Sequence, residues 1–337
     1  ISRIVDRVPA MNEPMAAVAS ARRGKARLAL ATAAIGSFIA GTLSTILLMS
    51  LTEPLAKVAI FMGPPEYFAL ALLALMLTAS MSHRSPVKGL AMLVIGLLMA
   101  TVGFDTQSAV ARFDFGITAM QDGIPFIIVA TGLFAIPEVM IQMNRGRQDE
   151  HAIRIGRGTW ITWPDLKRII PPALRGAGIG FFTGMMPGTG SIAATFISYG
   201  VERNLSKNPK NFGKGEIEGL AGPESANNAA SQGAMLPLIT LGIPGSATAA
   251  IMLGAFMMYG LQPGPRMLTE NPSLVWGIIT SMYIGNVMLL VLNLPLVPLF
   301  AKILDLPASL LNGIVLLLVF TSVYSVRGEY FDLVLLA

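Results

Sequence analysis

Between Ser225 and Pro265 the chain carries no charged residue, a run long enough to cross a bilayer. Its middle nonetheless reads Leu241-Gly242-Ile243-Pro244-Gly245-Ser246. A membrane span needs about 20 apolar residues at about 1.5 Å rise each. Pro244 lacks an N–H and fixes its φ, while Gly242 and Gly245 free the backbone on either side. An interrupted span leaves peptide groups without partners, at several kcal/mol each in hydrocarbon. Such breaks survive where the freed groups meet protein, water or a ligand, and in secondary transporters they sit at the substrate and ion sites.

The remainder fits a polytopic, all-α membrane protein. Of 337 residues 53% are hydrophobic and 13% charged, against about 25% charged in soluble domains. The net charge of +5 falls between apolar runs rather than on a basic face interleaved with aromatics, so nucleic acid is not an expected partner. With no cysteine, and only His83 and His151, a thiol nucleophile and a Cys/His zinc site are excluded. No HExxH, no GxxxxGK[ST] and no aspartate inside an uncharged run occurs, which argues against a membrane-embedded enzyme or an ATP-driven pump. The 20 methionines are spread through apolar runs and read as packing. No resident cofactor is expected.

In chain order, residues 1–27 form a basic segment, and 28–143 hold four expected spans: Leu28–Thr52, Tyr67–Ser82, Gly89–Phe104 and Gly123–Met143. Gly36, Ser37, Gly41, Thr42, Ser44 and Thr45 mark the first as a helix packed closely against neighbours. Connections are expected at 53–66 and, as an acidic loop, at 105–122. Residues 144–175 read as a basic loop, 176–265 as a transport module of two interrupted elements, and 266–337 as C-terminal spans (Pro272–Ala301, Leu306–Val326 and a start at Phe331) that the sequence end cuts off. Six Arg/Lys in 1–27, two in 83–88 and seven in 144–175 face one each in the alternate connections, Lys57 and Arg112. The positive-inside rule therefore puts 1–27 and 144–175 in the cytoplasm.

Gly176–Gly200 is also uncharged and contains Met186-Pro187-Gly188-Thr189-Gly190-Ser191. It is either a kinked span or a hairpin of two half-length helices of about ten residues, and the hairpin is favoured. Its break shares a pattern with Ile243-Pro244-Gly245-Ser246-Ala247-Thr248: apolar residue, Pro-Gly, then small hydroxyl residues. A half-helix starting after each break would expose N–H groups and its positive dipole end. Pro187, Gly188, Thr189, Gly190 and Ser191 with Pro244, Gly245, Ser246 and Thr248 would thus hold a carboxylate without lysine or arginine. Carbonyls near Gly242 could ligate Na⁺. Glu224-Ser225-Ala226-Asn227-Asn228 at the head of the uncharged run reads either as an N-cap, with Glu224 and Ser225 satisfying first-turn N–H groups, or as Asn227 and Asn228 oxygens and the Glu224 carboxylate near a cation or substrate, Na⁺ included.

Gly222-Pro223-Glu224-Ser225-Ala226-Asn227-Asn228-Ala229-Ala230, followed by Leu236-Pro237-Leu238-Ile239-Thr240-Leu241-Gly242-Ile243-Pro244-Gly245-Ser246, resembles the signature of the large permease subunit of the bacterial tripartite tricarboxylate transporters. Gly184–Gly190, Gly63-Pro64-Pro65-Glu66-Tyr67-Phe68 and Arg112-Phe113-Asp114-Phe115-Gly116 resemble other stretches of that family. The resemblance implies an inverted-repeat permease of the bacterial inner membrane. It would take di- or tricarboxylates from a periplasmic solute-binding protein, alongside a small membrane subunit, by symport with Na⁺ or H⁺. It also implies that this chain is the C-terminal part, lacking an earlier Pro-Gly motif of the first repeat. A channel or scaffold subunit without coupled transport is the alternative.

Overall fold

The computed structural model describes residues 26–80, 86–105, 110–145, 161–187, 190–294 and 308–336. Nearly all of them are helical, as expected of an all-α membrane protein. The elements in order are α1 (Ala26–Ile60), α2 (Pro64–Ser80), α3 (Pro86–Ala100), β1 (Gly103–Phe104), β2 (Ala111–Arg112), α4 (Thr118–Gln121), α5 (Phe126–Arg145), α6 (Trp163–Gly184), α7 (Gly190–Leu205), α8 (Glu218–Leu241), α9 (Ala247–Met258), α10 (Met267–Glu270), α11 (Pro272–Asn293), α12 (Ala308–Arg327) and α13 (Tyr330–Leu336). They divide into one compact unit drawn from residues 1–74 and 151–300 and a second from 75–150 and 301–337.

Three described helices are long and apolar enough to cross a membrane: Leu28–Ile60, Pro272–Asn293 and Leu310–Arg327. α2 and α3 have 17 and 15 residues, about 26 and 23 Å of rise, short of the about 30 Å hydrocarbon layer. α1 runs eight residues beyond its expected end at Thr52, through Pro54. The connection placed at 53–66 shrinks accordingly, because Glu53 and Lys57 pair at i,i+4 inside the helix, 2.7 Å apart. Hydroxyls facing the interior turn inward on their own helix: Ser44, Thr45, Thr52 and Thr240 each donate to the carbonyl four residues back. The C-terminal span expected to reach Ala301 is helical to Asn293, and 295–307 lie outside the described residues.

In the first unit, α6 and α8 run parallel at backbone contact. A side-chain carbon placed on Gly176, Gly180 or Gly184 would overlap the carbonyl oxygen of Gly222, Ala226 or Ala230 in turn. The repeating offset of 46 residues makes the pair parallel, and glycine every fourth residue makes the approach possible. α1 packs on α8 in the same sense, Gly36 against Ala221 and Ser225, while Ser37 bonds Asn228. α7 folds back antiparallel on α6, since Arg175 Nη2 and Nε reach the Glu202 carboxylate at 2.6 and 2.8 Å. Buried Leu236, Leu238, Ile239, Phe181, Leu48, Val275 and Ile279 form the core among these helices.

The second unit packs α12 and α13 on α5 through Ile128, Val323 and Leu336. Arg327 Nε donates to buried Asp332 at 2.9 Å. The span expected to reach Phe104 is helical only to Ala100, and its last two residues pair with the acidic loop expected at 105–122 in a two-stranded ribbon, Gly103 opposite Arg112 and Phe104 opposite Ala111. Arg112 pairs with Asp105 beside it.

Candidate functional site

Each interrupted element breaks where proline and glycine stand. α6 ends at Gly184, the chain turns through Met185–Pro187, and α7 begins at Gly190 with φ +62°. Gly188 and Thr189 lie outside the described residues. The segment is a helical hairpin rather than a kinked rod, but its arms are 22 and 16 residues long, not about ten. α6 starts at Trp163, so the C-terminal part of the stretch expected as a basic loop, 163–175, is helical. Thr162 and Asp165 form a capping box there: Thr162 Oγ1 accepts from Asp165 N, and Asp165 Oδ2 accepts from Thr162 N at 3.0 Å.

The second break spans Gly242–Ser246. Gly242 takes the left-handed conformation, φ +73°, that closes α8, and its N–H donates to Leu238 O at 3.1 Å. Ile243 N donates to Pro237 O, and Gly264 N returns to Ile239 O at 3.2 Å. Three carbonyls at the end of α8 therefore already accept protein hydrogen bonds. Ser246 caps α9: its Oγ accepts from Ala249 N at 3.2 Å and its carbonyl from Ala250 N at 2.9 Å. The Ser246 hydroxyl oxygen is thus turned onto its own helix end. The amides of Ala247 and Thr248, ahead of those two, are first-turn N–H groups without an intrahelical acceptor. Thr248 is exposed.

The two breaks meet. A side-chain carbon on Gly245 would lie 2.8 Å from Gly184 O and 3.2 Å from Ala234 Cα. Gly245 therefore lies against the last residue of α6, three residues ahead of Pro187. Neither stretch that forms the breaks, 176–200 or 225–265, carries a charged side chain, so the positive potential these stretches themselves supply comes from peptide dipoles. Among the described residues no cluster of His, Cys, Asp and Glu is arranged to hold a metal.

The residues expected around a cation are distributed along α8 rather than gathered. α8 begins at Glu218, so Glu224, Ser225, Asn227 and Asn228 lie inside the helix and the N-cap alternative fails. The charges of Glu218 and Glu224 had disguised a helix that starts ahead of the uncharged run. Asn228 Nδ2 donates to Ser37 Oγ at 2.5 Å and to Glu224 O at 3.4 Å. Gly242 stands 14 residues further on, about 21 Å of rise, and does not share a site with Asn228. The asparagines are nearer the junction: Ala234, which Gly245 touches, is six residues, about 9 Å, beyond Asn228.

Sequence reasoning took Ser37 as a packing residue and missed its bond to Asn228, the glycine stripe 176-180-184 and the Arg175–Glu202 pair. Four-residue spacing of glycines was the available signal for the stripe. Glu202 is 1% exposed and lies against Gly222, where a side chain would overlap its Cγ.

Comparison with known proteins agrees with the signature. The chain matches the tripartite tricarboxylate transporter TctA family over residues 14–337. It is 44% identical over 312 residues to an uncharacterized 52.8 kDa protein in the TAR-I ttuC' 3' region of Agrobacterium vitis, covering 93% of this chain and 62% of that protein. An uncharacterized protein of the TAR-II ttuC' 3' region of the same organism is 50% identical over 153 residues, 45% of this chain and 63% of that protein. The chain thus spans about three fifths of the first relative's length. No solved structure matches it. The chain is a member of the tripartite tricarboxylate transporter TctA family.

Proposed function

We propose that the junction of the two Pro-Gly breaks is the carboxylate-binding site of an ion-gradient-driven permease in the bacterial inner membrane. Substrate would be an organic di- or tricarboxylate, handed over by a periplasmic solute-binding protein and moved alongside a small membrane subunit. The hairpin α6–α7 is then re-entrant, with 1–27 and 144–175 on the cytoplasmic side. The carrying observation is the contact of Gly245 with the Gly184 carbonyl, which joins two breaks 57 positions apart in sequence. First-turn amides of α7 (Gly190, Ser191) and of α9 (Ala247, Thr248) supply the donors, with Pro187, Pro244 and Ser246 fixing the turns.

Symport follows from the charge balance. A neutral cradle cannot compensate a substrate of two or three negative charges. Each uncompensated elementary charge works against about 2.3 kcal/mol per 100 mV, so a cation must travel with it. Asn227, Asn228 and Glu224, between about 9 and 15 Å of helix rise from the junction, are the groups assigned to that cation, Na⁺ or H⁺.

The test is uptake into proteoliposomes holding the full-length permease with its small subunit and binding protein. Thr248→Val and Ser191→Ala are expected to raise the half-saturating substrate concentration several-fold with protein levels unchanged. Asn228→Leu is expected to change the ion dependence. Uptake that persists without any ion gradient would identify a channel instead, and unaltered kinetics in all three variants would remove the site.

A further inference from the structure

At the opposite end of the parallel helices from the breaks lies a second polar assembly, which the transport site does not use. The loop after α7 returns to α8 through Gly215, Glu216 and Ile217. Glu216 and Glu218 both engage one guanidinium: Arg168 Nε and Nη2 donate to Glu218 at 3.0 and 2.9 Å, and Nη2 also to Glu216. The one guanidinium therefore brings both carboxylates to the same place. Arg175 adds a weaker attraction on Glu218. Glu216 and Glu218 side chains are 10% and 21% exposed, and two negative charges facing one close positive charge leave one unit uncompensated.

An independent observation marks the same place. Leu28, Ala29 and Thr32 of α1 and Gly215, Glu216, Ile217 and Leu220 line a cavity of about 10 Å³, the volume one water centre occupies. Thr32 is 1% exposed, and its hydroxyl has no hydrogen-bond partner among the described residues. An orphan hydroxyl in a one-water cavity lined by Glu216 is the arrangement that a bridging water satisfies.

We infer that Glu216 and Glu218 form a proton-binding site in which one proton is shared between the two carboxylates, with a water in the adjoining cavity joining Glu216 to Thr32. On binding, the proton bonds to a Glu218 oxygen and is donated in a hydrogen bond to Glu216, and the water donates to Glu216 and accepts from Thr32. Arg168 already occupies both carboxylates and repels a metal cation, which selects the proton over Na⁺. The site ties together the first two turns of α1 and α6 and the start of α8, all of which run toward the breaks. It does not depend on what the permease carries.

The experiment is an infrared pH titration of the purified full-length permease. Ordinary carboxyls deprotonate near pH 4. The wild type is expected to keep one protonated-carboxyl band well above that range. Glu218→Gln should abolish it, Thr32→Val should shift its midpoint, and Glu270→Gln, at an exposed position, should leave it in place. A wild type without such a band, or a band that survives in Glu218→Gln, overturns the proposal. So does loss of the band on replacing choline with Na⁺ at fixed pH, which would make the assembly a metal-cation site. If Glu218→Gln fails to fold, Thr32→Val carries the assignment: an unshifted band midpoint in that variant overturns the proposal, as does a wild type without the band.

Discussion

Placing a methyl group on Gly180 tests the packing that aligns the two breaks. In Gly180→Ala the new carbon would lie 2.7 Å from Ala226 Cα and 2.8 Å from its carbonyl carbon, besides overlapping the carbonyl oxygen. Carbon atoms rest about 3.5–4.0 Å apart, so α6 and α8 must separate by about 1 Å, and backbone cannot swing aside as a side-chain tip can. Overpacking of this kind costs about 1–3 kcal/mol. Alanine returns about 0.5–1 kcal/mol of helix preference over glycine. Gly178→Ala supplies the control, because it meets nothing within 4 Å and keeps the propensity gain alone. The two variants are therefore expected to differ by about 1–3 kcal/mol, Gly178→Ala being the more stable. Thermal unfolding of the purified full-length permease, followed by light scattering and tryptophan fluorescence, reads the difference. Gly180→Ala melting at or above Gly178→Ala would refute backbone contact along this face.

Arg175→Met strands the buried Glu202 carboxylate and is expected to cost about 3 kcal/mol. In Arg175→Met/Glu202→Leu most of that loss should return, read by the same melting assay. Gly242→Ala combines left-handed backbone, φ +73°, with a side-chain carbon 2.7 Å from Pro263 O. Gly190→Ala has φ +62° and open space, so it should lose only the about 1–2 kcal/mol of the backbone term and melt above Gly242→Ala. Stability against pH should peak between two limits set by the carboxyl pair. Burial and the hydrogen bond to Glu216 push the Glu218 carboxyl up, beyond what Arg168 offsets. Burial also pushes Glu216 up, but the hydrogen bond from Glu218 and the Arg168 guanidinium outweigh it and leave it below the usual range. The raised group contributes stability that disappears as pH climbs through its folded value, and the lowered group contributes stability lost as pH falls through its own. Glu218→Gln should therefore flatten the alkaline limb, measured as melting temperature against pH.

What the sequence disclosed and what it hid divide along the range of the interactions. Pro187 and Pro244 with their glycines act on the adjoining peptide units, so both breaks were legible, and the described structure interrupts its helices at each. The helix starts at Trp163 and Glu218 were hidden because Asp165, Arg168, Arg175, Glu218 and Glu224 close any uncharged window. Three of those charges are paired across long separations: Arg168 with Glu216 and Glu218, 48 and 50 residues away, and Arg175 with Glu202, 27 away. A hydropathy window scores each charge alone and cannot see a partner in another helix. The same blindness made Glu224 and Ser225 resemble a helix cap, when α8 starts six residues earlier at Glu218 and the Asn228 amide reaches Ser37, 191 residues earlier.

The position of the junction is set some distance from the junction itself. Glycines at 176, 180 and 184 lock α6 to α8 with an offset of 46 residues, so the end of α6 comes level with Ala230. α8 continues another eleven residues to Leu241 before Gly242 reverses the chain, and Gly245 returns to the level of Ala234, beside Gly184. Slipping α6 by one four-residue step would satisfy the same small-residue pattern while moving its end about 6 Å along α8, enough to part the two breaks. The Arg175–Glu202 and Arg168–Glu216/Glu218 pairs oppose that slip, because each fixes a point on α6 against a different element. Paired charges at one end and glycine contacts along the length thus hold the dipole ends of an uncharged site in place, without any charged side chain at the site itself.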